Sequence, residues 1–195
     1  MFQNLLTHIN RHIQLSEDET TMVFAKYFQT REFGKKEYLQ QAGQKSKSIY
    51  FVDKGCLIMF YVNNKSANQI VQFAIENWWI ADYNSLINNT SSDYYIQTIE
   101  QSRIISIEFP QLENLLKELP PLEKYFRIIA QKALAASQIR AKYLYEMSKE
   151  EFYVHFCTSF PDFVQRVPQY MIASYLGLTP EYVSELRKKK PWLLS

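Results

Sequence analysis

Glycine is scarce in this chain: 195 residues contain only 4. A chain that so seldom uses the residue most tolerant of left-handed backbone places each copy where a turn demands it. Cysteine is scarcer, with Cys56 and Cys157 far apart and no C-x-x-C pair. That excludes a disulfide scaffold, a cysteine-rich zinc module and the usual ligand sets of iron–sulfur clusters. No apolar run approaches the ~20 residues that cross a bilayer, and Met1–Thr20 lacks the apolar core of a signal peptide. A reducing cytosol is therefore the expected compartment, with no membrane partner. An excess of one charge is missing as well. The 22 basic and 20 acidic residues leave +2, so a nucleic-acid surface would have to be a local patch. There is no HExxH, G-x-S-x-G, P-loop or Rossmann fingerprint, and nothing points to an enzyme.

What the chain does have is aromatic bulk, with 14 Tyr and 13 Phe in a composition that is 47% apolar. An aromatic-rich core is expected, and wholesale disorder is excluded. The texture changes near Pro110, from short β-rich runs to helical spacing. Residues 1–30 read as helical, with a capping box at Ser16–Glu19 and an apolar stripe of Val23, Phe24, Tyr27 and Phe28. From Arg31 to Glu108, β-branched and aromatic runs follow one another: 49–52, 56–62, 70–75, 94–99 and 103–108. Asp53-Lys54-Gly55 and Asn63-Asn64-Lys65 are turn signals between them. Several short strands over ~80 residues predict a β-sandwich or barrel rather than a parallel α/β sheet.

After a short helix at Gln111–Glu118, Pro121 can open a new helix, since its missing N–H is an orphan there in any case. Nothing interrupts the pattern up to Met147, which gives a rod of roughly 40 Å. Leu122, Tyr125, Phe126, Ile129, Ala133, Ala136, Ile139 or Arg140, and Tyr143 approximate a heptad seam. A second copy of the chain is the simplest partner for such a rod, and packing against its own domain is the alternative. A further capping box, Ser148 to Glu151, opens a helix that ends at Ser159-Phe160-Pro161-Asp162.

The sharpest signal lies in residues 169–188. A helix from Pro168 to Leu176 ends at Gly177, where left-handed backbone is cheap only for glycine. Thr179 then reads as an N-cap, Pro180 as the first helical residue, and Glu181 faces the positive helix end. Ala173 must be small where the two helices cross, and Ile172, Leu176, Leu178, Val183 and Leu186 fill the space between them. Two helices joined by a short glycine turn form a helix-turn-helix; a helical hairpin in a core is the alternative. The second helix would enter the major groove, leaving Glu181, Tyr182, Ser184, Glu185, Lys188 and Lys189 outward, with Thr179 at its start. Glu181 could accept from a cytosine amino group, and Ser184 could bond several base edges. Arg187 to Lys190 are consecutive cations suited to phosphates, and also to the negative helix end.

The order of parts resembles the Crp/Fnr superfamily of bacterial transcription regulators. Phe160-Pro161, Arg166-Val167-Pro168-Gln169 and Ile172 to Glu181 are similar to the form seen in Bacteroidetes-type members. Gly43 and the run Ile49–Gly55 are similar to the glycine-marked turns of the cyclic-nucleotide-binding fold. The resemblance implies an α+β chain in three parts. Residues 1–120 would form a double-stranded β-helix, or jelly-roll-like β-roll, that acts as a sensor. Residues 121–147 would form the connecting and dimerisation helix, and 148–195 a winged helix-turn-helix. It implies a homodimer on double-stranded DNA, with half-sites ~34 Å apart, that acts on RNA polymerase.

Departures from the family's pattern bear on the ligand. Cyclic-nucleotide sensors of the family carry a Gly-Glu pair and then an Arg followed by a small residue. The matching stretches here are Trp79-Ile80-Ala81-Asp82 and Ser91-Ser92-Asp93-Tyr94, and no Arg or Lys lies between Lys65 and Arg103. A buried phosphate among these groups would lack a cation, so cyclic AMP is expected to bind weakly or not at all. The expected effector pocket consists of Trp79, Ala81, Asp82, Ser92, Asp93 and Tyr94; its ligand is unidentified. Trp78, Trp79, Tyr83, Tyr94 and Tyr95 could line an apolar pocket, or simply be core and surface aromatics. Where the family commonly has Arg, this chain has Glu185, which changes the expected operator. The segment after Pro191 leaves a short wing or none. No N-terminal cysteine cluster offers haem or iron–sulfur ligands. His8 and His12 lie one turn apart and are expected on a solvated face, His155 as a partly buried structural residue. A sensor or interaction protein without operator-specific DNA binding is the rival reading.

Overall fold

The computed structural model describes residues 2–189, without the side chains of 17–19. The chain divides into two compact units, one of Met1–Tyr61 with Gln72–Gln131 and one of Val62–Val71 with Lys132–Ser195. The architecture is α+β: a β-roll, a long helix and a C-terminal helical domain.

Helices α1 (Gln3–Asn10) and α2 (Glu17–Tyr27) precede eight short strands, which belong to the first unit except for the hairpin tip 62–71. These are β1 (Phe28–Phe33), β2 (Tyr38–Gln40), β3 (Ser48–Lys54), β4 (Leu57–Val62), β5 (Asn68–Ala74), β6 (Trp79–Ile80), β7 (Tyr95–Thr98) and β8 (Ser102–Glu108). They build two four-stranded sheets, in the orders β1-β8-β3-β6 and β2-β7-β4-β5. Between β6 and β7 lies α3 (Tyr83–Asn88), and after β8 comes α4 (Phe109–Glu118).

The β3 run is apolar on both faces because both are covered. Ile49 and Phe51 pack in a cluster with α1, α2, α4 and the start of the next helix, α5 (Pro121–Glu146). Val52 and Tyr50 face the interior of the roll, with Leu57, Ile96 and Ile104. Gly55 turns β3 into β4 at φ +107, and a Cβ there would lie 2.2 Å from Ser102 Oγ.

The predicted helix over 1–30 stops at Tyr27, and Phe28 opens β1 opposite Ile107 of β8. Phe24 and Phe28 are buried in the same cluster, so the four-residue spacing carried the helical reading past the true boundary. Ser16 is the N-cap of α2 but makes no side-chain capping bond, and the Glu19 half of the expected box lies outside the described side chains. Strands β2 and β6 are too short for alternation to be read. The helix opened at Ser148 ends at Ser159, as expected, and Pro161 in addition opens α7 (Pro161–Arg166), which the sequence reading lacks.

Helix α5 has 26 residues. Its first turns belong to the first unit: Leu122 and Tyr125 are fully buried, and Phe126 and Ile129 pack beside them. The expected seam is therefore split, its N-terminal part lying against the chain's own core. By contrast, every residue from Ala130 to Ile139 is exposed, including Leu134 at 61%.

In the second unit, the capping box before α6 (Lys149–Ser159) is complete: Ser148 Oγ accepts from Glu151 N–H, and Glu151 accepts from Ser148 N–H. The Ser148 hydroxyl and backbone N–H beside the carboxylate favour its ionised form and hold Glu151 below the usual carboxylate range. Helices α8 (Gln169–Leu176) and α9 (Pro180–Lys189) follow α7. Ala173, Ile172, Leu176, Val183 and Leu186 are buried, which leaves the polar residues of α9 outside.

Candidate nucleic-acid interface

The turn between α8 and α9 is built from local chemistry. Gly177 adopts φ +70, and Leu178 N–H reaches back 2.8 Å to the Ala173 carbonyl, as in a Schellman turn. Thr179 Oγ1 then accepts from Tyr182 N–H at 3.2 Å, which satisfies one of the orphan donors of α9. Thr179 is thus an N-cap as well as a candidate contact residue.

Of the expected contact residues, Glu181, Ser184, Glu185, Lys188 and Lys189 are exposed, and Tyr182 is half-buried. Pro180, Glu181, Ser184, Glu185 and Lys188 line a shallow depression on this face. The three described cations of the last turn complement the negative helix end. They are not equivalent: Arg187 is half-buried and donates from Nη1 to Gln169 Oε1 at 2.8 Å, tying α9 to α8. Lys188 and Lys189 carry the exposed charge. Lys190, Pro191 and the wing segment lie outside the described residues.

In the first unit, the proposed effector residues have mostly internal roles. Ala81 is core. Asp82, 4% exposed, caps α3 by accepting from Ser85 N–H at 3.2 Å. Ser92 accepts from Gln40 Nε2 at 2.7 Å and from Tyr94 N–H at 2.9 Å. Ser46 Oγ donates to Gln40 Oε1, and Ser85 Oγ donates to the Thr90 carbonyl. Asp93 is exposed and Tyr94 half-buried. The strands and α3 thus bring Asp82, Ser92 and Tyr94 into one region whose polar atoms bond to one another.

Trp79 belongs to a different assembly. Its indole N–H donates to Tyr125 Oη at 2.8 Å, and the same hydroxyl lies 2.8 Å from His8 Nδ1. The indole can only donate, so the Tyr125 oxygen accepts from it, and the hydroxyl shares a second hydrogen bond with His8 Nδ1 whose direction follows the histidine tautomer. Burial raises the Tyr125 hydroxyl well above its ordinary pKa of 10. The solvated face expected for His8 is corrected here: the ring is 9% exposed, near Phe51 and Tyr125. Helix α1 is amphipathic with Leu5 and Ile9 inward, and His8 falls on that face. His155 is half-buried against Tyr143, as expected.

Sequence reading missed Gln40 and Ser46 in the bonded polar cluster around Ser92, Tyr125 as a polar hub, and three residues around the end of α8: Gln69, Arg140 and Ser174. Their partners are distant in sequence, and no local pattern marks them.

Residues 30–118 match the family model of the cyclic nucleotide-binding domain. The regulatory protein HlyX of Actinobacillus pleuropneumoniae is 25% identical over 183 residues, covering 88% of this chain and 75% of that protein. Among solved structures, the fold is similar to that of CLP from Xanthomonas campestris, a c-di-GMP-responsive global regulator. The TM-score is 0.73 at 15% identity, covering 90% of this chain and 92% of that one. It is also similar to a transcriptional regulator ascribed to the Crp/Fnr family from Eubacterium rectale. There the TM-score is 0.70 at 9% identity, covering 91% and 84%. These relatives are regulators rather than enzymes, and no described helix is long and apolar enough to cross a membrane.

Proposed function

We propose that the chain is a transcription regulator of the Crp/Fnr type: a homodimeric, sequence-specific DNA-binding protein of the bacterial cytoplasm, a reading supported by the cyclic nucleotide-binding match over residues 30–118 and the similarity to HlyX. Each protomer lays one α9 into the major groove of an operator half-site. The observation that carries this is the uncovered face of α9, which offers Glu181, Ser184 and Glu185 to base edges and Lys188 and Lys189 to phosphates. The carboxylates suit amino donors, cytosine N4 above all. Arg187 acts through Gln169, holding the two helices together. The exposed apolar and small residues of α5, Ala130, Ala133, Leu134 and Ala141, supply the self-association surface. RNA polymerase is the partner such a regulator acts upon.

The roll does not take cyclic AMP in the usual way. Gln40, Ser46, Asp82, Ser85 and Ser92 are already bonded among themselves, no Arg or Lys lies between Lys65 and Arg103, and Lys45, whose backbone bridges Ser91, gives its ammonium to Asn89 Oδ1. Any effector would act by shifting the population of α5 and the reading heads. Calorimetry is expected to give no binding heat with cyclic AMP at micromolar to millimolar concentration; micromolar affinity overturns this part of the reading.

Glu181 and Glu185 together favour a second reading, an interaction domain that no longer reads DNA, because carboxylates near phosphates are repelled unless they meet a base amine. Selection from random DNA at low and moderate salt separates the two. The regulator enriches a palindrome with half-sites about one helical turn apart and has a steep salt slope. Enrichment of no sequence overturns the regulator.

A further inference from the structure

Helix α8 ends on carbonyls that the helix cannot satisfy itself. Two of them are met from far away in sequence. The Tyr175 carbonyl accepts from Arg140 Nη2 at 2.8 Å, and the guanidinium lies 4.3 Å from the centre of the Tyr175 ring. The Ser174 carbonyl, which also takes the Gly177 N–H at 3.2 Å across the turn, accepts from the side-chain amide of Gln69.

The Ser174 hydroxyl is used twice more: it accepts from Ile70 N–H at 2.9 Å and donates to the Asn68 carbonyl at 2.7 Å. Asn68, Gln69 and Ile70 lie on β5, the last strand of its sheet, within the hairpin tip that groups with the C-terminal helices. An edge strand leaves every second pair of backbone groups without a ladder partner. Here one hydroxyl, accepting from residue 70 and donating to residue 68, stands in for the neighbouring strand.

Four hydrogen bonds therefore hold the end of α8. That end leads through Gly177 directly into α9, and Arg187–Gln169 ties the two helices at their other ends. In the gripped arrangement the α9 face is uncovered: Glu181, Ser184, Glu185, Lys188 and Lys189 all remain exposed.

We infer that Ser174, with Gln69, is a positioning residue for operator binding: the pair fixes α8 on the edge of β5 and so pre-orients the reading helix α9. The inference rests on the DNA-binding reading above. A reading helix that must be immobilised on DNA gives up part of its binding free energy, whereas one already held does not. Ser174 touches no base. It acts through α8.

The test uses the full-length protein and the operator that the wild type selects from random DNA. Gln69→Ala, which removes one hydrogen bond to α8, is expected to weaken operator binding about three- to ten-fold, and Ser174→Ala, which removes two, by at least as much. The base preference and salt slope stay those of the wild type, because no base or phosphate contact is touched. Ser174→Thr keeps the hydroxyl and restores the affinity. The Ala substitutions are less than additive when combined, because they remove one shared grip. Independently of DNA, the Ile70 amide is protected from hydrogen exchange in the wild type and in Ser174→Thr, and exchanges faster in Ser174→Ala. Equal or tighter operator binding by Ser174→Ala overturns the positioning role, as does a wild-type Ile70 amide that exchanges freely. A wild-type protein that selects no operator overturns the DNA reading and the positioning role together. One that selects an operator which Ser174→Ala binds equally well overturns the positioning role alone.

Discussion

At the scale of single residues, the two lysines past the buried stripe of α9 are expected to act as a charge pair. Lys188→Ala with Lys189→Ala should weaken binding to all sequences alike and flatten the salt slope by about two. A change in base preference in filter-binding titrations would show instead that they read bases. Two glycines separate strain from crowding. At Gly177, φ is +70 with open space beyond, so Gly177→Ala should cost about 1 kcal/mol in urea unfolding. Gly55, at φ +107, has Ser102 Cα 2.7 Å from an added Cβ, so Gly55→Ala should cost ~3 kcal/mol or more. Equal losses at the two sites would refute the distinction. Gly177 and Thr179 were legible in the sequence because a left-handed cap and an N-cap are local demands. Arg187 was not: its bond to Gln169 crosses the turn, and a cation in a basic run carries no mark of where its guanidinium will lodge.

At the scale of elements, length decides what can be read. Helices α5, α8 and α9 and the longer strands have enough residues to display a period, whereas β2 and β6, with 3 and 2 residues, do not. Helix α3 announces itself only through Asp82 as its cap, a residue equally at home in a turn. The joint between α1, β6 and α5 was hidden because the sequence puts His8 on a solvated face, Trp79 in the effector pocket and Tyr125 in the seam of the rod, and no local spacing links the three. Tyr125→Phe removes the partner of the Trp79 indole and of His8 Nδ1, and should cost about 2–4 kcal/mol in chemical unfolding. The joint also has a pH signature. The folded pKa of Tyr125 is raised, so the stability it lends is complete below the ordinary tyrosine value of 10. That stability is lost as pH climbs beyond it, because the unfolded chain ionises first. Unfolding free energy should fall above pH ~10, and fall less steeply in Tyr125→Phe. Identical slopes in the two proteins would count against the buried hydroxyl.

At the scale of the whole molecule, the roll, the rod and the C-terminal helix-turn-helix were legible in outline, because each carries its own periodicity. Self-association is the property most open to test. Leu134, Ile139 and Leu144 stand 61%, 51% and 47% exposed on α5. Leu134→Glu with Ile139→Glu should convert a dimer to a folded monomer in sedimentation runs and abolish operator binding. A dimer that survives both charges would move the interface elsewhere. The grouping of the hairpin tip 62–71 with the C-terminal helices was invisible in sequence, because the bonds that join them span 104–106 residues. Trp79 has a practical value that follows from its place. Its indole is bonded to the foot of a rod that runs from one compact unit into the other, while Trp78 is half in water. The chain therefore comes with a built-in optical gauge: a strain that loosens the foot of the rod rewrites the emission of one buried fluorophore, with no dye attached.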